Sequence, residues 1–305
     1  MGRFSKTAFV FGEPLLELSS VTQESARLGI GGDTFNTAVY LARGGVDVQY
    51  VTAIGDDPMS ERVSHALQAE GIGTDYVTVV PGKPVGLYAI EVDETGERSF
   101  TYWRSDSAYR SWFQSGRSAE AFDAMVEGAL LYMSGISLSG FSREERAALT
   151  DLMATAKSQG VCTAFDTNYR PRGWPLPDTA RMAIEAIKPF VSISLPTFED
   201  EEDLFGASSP DQSVAFWQAG GCDEVCVKSG PRGAFISSGE WVRPTVERKP
   251  KDTTGAGDSF NGGYLSARMR GADPLEAARA GNELAGRVIM TSGAILPRDA
   301  DHGSF

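Results

Sequence analysis

Asp252-Thr253-Thr254-Gly255-Ala256-Gly257-Asp258 runs directly into Ser259-Phe260-Asn261-Gly262-Gly263-Tyr264-Leu265-Ser266-Ala267. The second half predicts a helix whose small residues permit close packing against a neighbour. The Gly-Ala-Gly turn ahead of it leaves several backbone N–H groups without intrahelical acceptors. With the positive end of the helix dipole, those donors form a ready site for an anion. Such a nest can hold the charge that develops on a transferring phosphoryl group. Asp258 stands beside it, placed to accept the proton of an attacking hydroxyl. An acidic residue in a first helical turn is also favourable in its own right, so position alone leaves both readings open.

Upstream of this run, strand-like apolar stretches at residues 8–12, 48–53, 130–134, 161–166, 190–195 and 224–229 alternate with helix-length segments. Helices are predicted over 34–43, 59–69, 144–159, 177–188 and 210–219. Strands spaced by helices imply βαβ units, hence an α/β fold with a mostly parallel central sheet and helices on both faces. One stretch breaks the pattern. Residues 85–92 and 98–104, rich in Tyr, Phe, Thr and Trp, flank the turn-forming Asp93-Glu94-Thr95-Gly96-Glu97 and predict an inserted β-hairpin. A lone hairpin is marginal in water, so it is expected to join strands at 15–18 and 27–30 in a small β-sheet lid. The chain 1–305 then reads as a single domain, with the lid formed by about 13–31 and 84–107 inserted into the α/β core.

Hydrophobic residues make up 41% of the chain and charged ones 23%, the usual range for a globular protein. No run approaches the roughly 20 apolar residues that span a bilayer, and the first residues carry no signal-peptide pattern. A cytoplasmic protein without membrane partners is expected. The net charge of −13 argues against nucleic acid, whose binding rests on Lys and Arg neutralising phosphates. A few arginines gathered in a cleft can still attract a small anion. Cys162, Cys222 and Cys226 form no metal or disulfide pattern and read as buried reduced thiols. His65 and His302, the only histidines, lie in no Ser or Cys context that suggests a triad, so histidine chemistry is not expected. The chain lacks G-x-x-x-x-G-K-[ST], H-R-D, D-F-G and a G-x-G-x-x-G after its first strand, which sets aside P-loop kinases, protein kinases and dinucleotide dehydrogenases.

The run through Asp258, together with Gly31-Gly32-Asp33-Thr34-Phe35-Asn36-Thr37-Ala38-Val39-Tyr40-Leu41-Ala42-Arg43 and Gly55-Asp56-Asp57, resembles the signatures of the ribokinase-like (PfkB) carbohydrate kinase family. The resemblance extends over residues 9–297. It implies a ribokinase-like fold, ATP with Mg2+, a monovalent cation in places, and a homo-oligomer assembled through the lid. By resemblance Asp258 is the catalytic base and Gly255, Ala256 and Gly257 form the anion hole. Gly31, Gly32 and Asn36 would face the sugar, with Asp33 bonding its hydroxyls. The turn Lys228-Ser229-Gly230-Pro231-Arg232-Gly233 matches the family's nucleotide-binding turn. That places Lys228, Ser229, Gly230 and Gly233, with Gly255 and Gly257, at the nucleotide; an ordinary strand-ending turn reads the same way. Where many members carry N-x-x-E near the phosphates, this chain has Thr197-Phe198-Glu199-Asp200. Asp200 replaces the glutamate, or the acidic run simply starts a helix, and the metal ligands stay unassigned.

Four local patterns resemble one branch of that family, the 2-keto-3-deoxygluconate kinases: Arg98-Ser99-Phe100-Thr101-Tyr102-Trp103-Arg104-Ser105-Asp106-Ser107-Ala108, Ser134-Gly135-Ile136-Ser137-Leu138, Phe165-Asp166-Thr167-Asn168-Tyr169-Arg170-Pro171-Arg172-Gly173-Trp174 and Gly293-Ala294-Ile295-Leu296-Pro297. A sugar acid needs a fixed cation, and arginine suits bidentate recognition of a carboxylate. The resemblance implies Tyr88, Tyr102 and Arg104 meeting the substrate from the lid, and Asn168 and Arg170 from the core. Period two sets Phe100, Tyr102 and Arg104 on one face; the side that Tyr88 takes depends on a register the sequence does not state. Arg172, beside Pro171, reads as a surface charge. The expected reaction is ATP-dependent phosphorylation of the keto-acid to its 6-phosphate. A fructokinase or ribokinase acting on a neutral sugar, and a non-catalytic sugar sensor, are the alternatives on the same fold.

Overall fold

The strand β1 (Thr7–Phe11) turns Ala8 and Val10 to one side and Phe9 and Phe11 to the other, and all four are buried. A strand buried on both faces needs helices over both. The remaining strands are β2 (Leu15–Ser19), β3 (Arg27–Gly31), β4 (Asp47–Ile54), β5 (Val77–Val79), β6 (Gly86–Val92), β7 (Arg98–Trp103), β8 (Leu130–Ser134), β9 (Cys162–Asp166), β10 (Ile193–Ser194), β11 (Glu224–Lys228), β12 (Ala234–Ile236) and β13 (Glu240–Val242). The helices are α1 (Asp33–Arg43), α2 (Pro58–Ala69), α3 (Ser118–Met125), α4 (Gly135–Ser139), α5 (Arg143–Ser158), α6 (Pro177–Ile187), α7 (Phe198–Phe205), α8 (Pro210–Ala219), α9 (Ala256–Met269) and α10 (Pro274–Val288). The computed structural model describes residues 6–22, 24–92, 98–246 and 249–298; the expected turn at 93–97 and His302 lie outside them.

Among the described residues, nine strands form one sheet in the order β13-β12-β11-β10-β9-β8-β1-β4-β5. It is parallel from β11 to β5, and β12 and β13 extend it antiparallel. One apolar layer joins Phe9, Phe11 and Leu131 to α5, α6 and α8. The other joins Ala8, Val10 and Tyr132 to α1, α2, α9 and α10. A second sheet, β3-β2-β6-β7, is built from the predicted hairpin and its two expected partners.

Helix ends follow local chemistry. Asp57 caps α2 by accepting from the Met59 and Ser60 amides, with Pro58 in the first turn. Ser142 with Glu145, and Asp273 with Glu276, form reciprocal capping boxes at α5 and α10. The strand expected at 190–195 shrinks to Ile193–Ser194, because Lys188–Phe190 turns as a short 3-10 helix around Pro189. Cys222 and Cys226 are buried, Cys162 is partly so, and none forms a disulfide; burial pushes the Cys162 thiol up to about 11.

Trp112 is fully buried with its ring edge-on to Phe11 at a centroid distance of 4.9 Å. Trp112→Ala is expected to lower unfolding free energy by about 3–5 kcal/mol, whereas Leu176→Ala, at an exposed position, should stay within about 0.5 kcal/mol of wild type. Urea denaturation followed by far-UV circular dichroism measures both.

Candidate active site

The carboxyl ends of β1, β8 and β9 lie side by side in the parallel sheet, the edge at which open α/β sheets hold their ligands. A cavity of about 810 Å³ opens there, between the strand ends and the smaller sheet. Helices α1 and α9 both begin at this edge and bring two carboxylates into it. Asn36 Nδ2 donates to Asp258 Oδ2 at 2.8 Å, and Thr37 Oγ1 donates to the Asp258 carbonyl at 3.2 Å. Asp33 accepts from Ser134 Oγ and, at 3.0 Å, from Asn168 Nδ2. Asn168 holds φ at 32°, in the left-handed region, a conformation that persists only where the surroundings impose it. Burial first, then the facing charge of Asp33, pushes the Asp258 carboxyl up to about 7. Burial also raises Asp33. A carboxylate with that proton affinity is suited to take a proton near neutral pH.

The turn before α9 is held from outside. Asp252 accepts from the Thr254 amide at 2.8 Å and from the Gly293 amide at 2.9 Å. Gly255 sits at φ 71°, and a Cβ there would stand 2.5 Å from Ala294 Cβ, so both conformation and space demand glycine. The Ala256 amide donates to Thr253 O at 3.2 Å. Among the described residues, no backbone bond is seen from the Gly255, Gly257 or Asp258 amide. Lys228, expected at the nucleotide, ends β11 just before the turn at 229–233. Its ammonium is buried, 2.6 Å from Asp166 Oδ2 and 3.0 Å from Asn261 Oδ1. It lies 3.5 Å from where a Gly257 Cβ would be, so its charge reaches the nest from beneath. Ser229, Gly230 and Gly233 form the tight turn after β11, with Ser229 N bonded to Gly233 O at 2.8 Å, and do not line the cavity.

Four arginines, Arg104, Arg110, Arg170 and Arg172, also line the cavity. Arg104 pairs with the buried Glu13, which also accepts from Ser107 Oγ at 2.5 Å. Arg170 pairs with Asp200 at 3.0 Å, and burial pushes that carboxyl up to about 6 against the pull of Arg170. Arg110 donates to the Arg104 and Gly140 carbonyls at 2.9 and 3.2 Å. Arg172 donates to the Phe100 carbonyl of β7 at 2.9 Å, joining the core to the smaller sheet.

Of the residues expected at the site, Gly32, Asp33, Asn36, Tyr88, Tyr102, Arg104, Asn168, Arg170, Gly255 and Asp258 all line the cavity. The register settles Tyr88: it stands opposite Tyr102, on the cavity side. Gly31 does not line it and is instead packed against Tyr88. Glu13, Arg110, Asp166 and Arg172 were missed. Asp166 and Arg172 belong to a stretch already singled out, while Glu13 offered only its place just after the first strand.

Residues 8–301 match the family described as pfkB family carbohydrate kinase. A protein named 2-dehydro-3-deoxygluconokinase from Dickeya dadantii (strain 3937) is 37% identical over 306 residues, covering 97% of this chain and 98% of its own. Among solved structures, the PfkB protein from Polaromonas sp. JS666 superposes with a TM-score of 0.83 at 25% identity, over 94% of this chain and 96% of that one. The fold also matches a fructokinase with bound ATP from Xylella fastidiosa, with a TM-score of 0.82 at 20% identity, over 95% and 94%.

Infrared difference spectra of wild type against Asp258→Asn are expected to show one carboxyl titrating at about 7. Asp33→Asn removes the facing charge and should move that midpoint downward. A midpoint in the ordinary aspartate range for the wild type contradicts the burial argument.

Proposed function

The chain belongs to the pfkB family of carbohydrate kinases, and on that footing we propose that it transfers the γ-phosphoryl group of ATP to the terminal hydroxyl of 2-keto-3-deoxygluconate. The observation that carries the reading is one cavity lined both by Asp258 and Gly255 at the start of α9 and by four arginines, Arg104, Arg110, Arg170 and Arg172. A polyhydroxy acid calls for both, a cation for its anionic head and a base for a hydroxyl. The relative named 2-dehydro-3-deoxygluconokinase supports the same choice, since that is the same keto-acid under another name.

In this reading Arg104 and Arg170 orient the carboxylate, while Asp33, Asn36 and Asn168 hold hydroxyls along the chain. Asp258 takes the proton of the terminal hydroxyl as its oxygen bonds to the γ-phosphorus and the bond to the bridging oxygen breaks, releasing ADP. The Gly255 and Gly257 amides hold charge on the phosphoryl oxygens, and Lys228 adds to that field from below. The four-stranded sheet acts as a lid inserted into a single domain and limits water's access to the transfer. Its edge strands β3 and β7, with Trp103 exposed on β7, offer the surface for pairing with a second copy.

The residues present fit a nucleotide and a divalent cation. Ser229 Oγ is buried without a hydrogen-bond partner at the turn expected to meet the nucleotide, and Asp200 Oδ2 is likewise unpartnered. Among the described residues no cluster of three metal-ligating side chains occurs, which suits Mg2+ held largely by phosphates and water. Bound there, the ion would neutralise phosphate charge, and Asp200 is the side chain in place to hold it. A monovalent cation is part of the same reading. No described helix is long and apolar enough to cross a membrane, in keeping with a cytoplasmic enzyme.

A coupled ADP-release assay with Mg2+ and ATP, offering 2-keto-3-deoxygluconate, fructose and ribose in parallel, tests the proposal. The keto-acid is expected to be the preferred acceptor, and Asp258→Asn to lower kcat by ~10²–10⁴-fold while calorimetry still detects keto-acid binding. Preference for a neutral sugar sinks the substrate assignment, and undiminished turnover in Asp258→Asn sinks the base. Repeating the assay with and without potassium tests the monovalent ion.

A further inference from the structure

Glu17 lies on β2 directly beside Tyr88 of β6, and both are buried. The Tyr88 hydroxyl donates to Glu17 Oε2. Among the described residues Glu17 has no cationic partner, so the phenol is the group that answers its charge. Gly31 of β3 makes room for the pair: a Cβ there would stand 2.5 Å from the Tyr88 oxygen and 3.5 Å from Glu17 Oε2. Tyr88 reaches the cavity and Glu17 does not. Burial and the Glu17 charge hold the Tyr88 phenol well above its ordinary pKa, so it keeps its proton.

A phenol has one proton to donate. With that proton committed to a carboxylate behind it, the Tyr88 oxygen faces the cavity with lone pairs alone. We infer that Glu17 is a specificity-determining positioning residue, which turns Tyr88 into an obligate hydrogen-bond acceptor and makes it read a hydroxyl of the bound acceptor rather than its carboxylate. The inference rests on the reading that this cavity holds a polyhydroxylated acceptor. It also separates the labour of the lid. Arg104 supplies the cation, and Tyr88, next to Tyr102 at a ring distance of 6.0 Å, rejects an anion and selects a donor. A carboxylate placed against Tyr88 would meet lone pairs facing lone pairs, with the Glu17 charge directly behind.

The test is a double-mutant cycle on Glu17→Leu and Tyr88→Phe, run with whichever of 2-keto-3-deoxygluconate, fructose or ribose the wild type phosphorylates fastest. Its outcome therefore does not depend on the keto-acid assignment, whose failure would show separately as a neutral sugar being preferred. Glu17→Leu frees the phenolic proton and is expected to raise KM by ~10-fold, the scale of one lost hydrogen bond, with a smaller change in kcat. In the Tyr88→Phe background the same substitution should add nothing, because Glu17 acts through the hydroxyl. Glu17→Gln, which keeps an acceptor oxygen, should recover most of the KM loss, and thermal melts of each variant establish that it is folded. A KM for Glu17→Leu within twofold of wild type overturns the inference. So does a Glu17→Leu penalty of equal size with and without the Tyr88 hydroxyl.

Discussion

Lys228 and Asp166 form an ion pair almost without water, their side chains 7% and 2% exposed. Charges this deep are tolerated only when paired and hydrogen-bonded on their remaining atoms. Asn261 meets that need from α9, donating to Asp166 at 2.7 Å while accepting from Lys228. The second Asp166 oxygen accepts from the Asn168 amide at 3.1 Å. The last residues of β9 and β11 are thereby pinned to α9. Asn168 takes its left-handed backbone from this anchoring and points its amide at Asp33. The catalytic edge is thus supported by a charge network beneath it, and removing one partner would leave the other buried and alone.

The alternation of strands and helices was legible because buried parallel strands read as apolar runs of the right length. Several elements escaped, α3 and α4 among them. β5, β12 and β13 are three residues each, too short to display a period. The helix α10 was overlooked although its Asp273-Pro274 start and Glu276 carry a capping box. The α9 nest and the α1 residues were readable because glycine and acidic residues cluster locally at helix starts. Glu13 and Glu17 were not. A carboxylate near the first strand declares nothing until the fold shows that Arg104 and Tyr88 come from some seventy to ninety residues away to meet it.

The cavity gathers both signs of charge, yet much of that charge is already answered. Arg104 has Glu13, and Arg170 has Asp200. The pairs hold the side chains in place ahead of any ligand, which lowers the ordering cost of binding. They also moderate the field, so that an anion is oriented without being held too firmly to leave. Asp33 and Asp258 repel each other, and that repulsion, added to burial, raises the proton affinity of Asp258.

The bond from Arg172 to the smaller sheet ends on the carbonyl oxygen of Phe100, not on a side chain. A main-chain acceptor is present whatever residue occupies position 100. The Phe100 ring has a different task, packing beside Tyr88 and Tyr102 in the wall of the cavity. One residue thus serves two ends by separate parts, its peptide group tying the small sheet to the core and its side chain shaping the pocket.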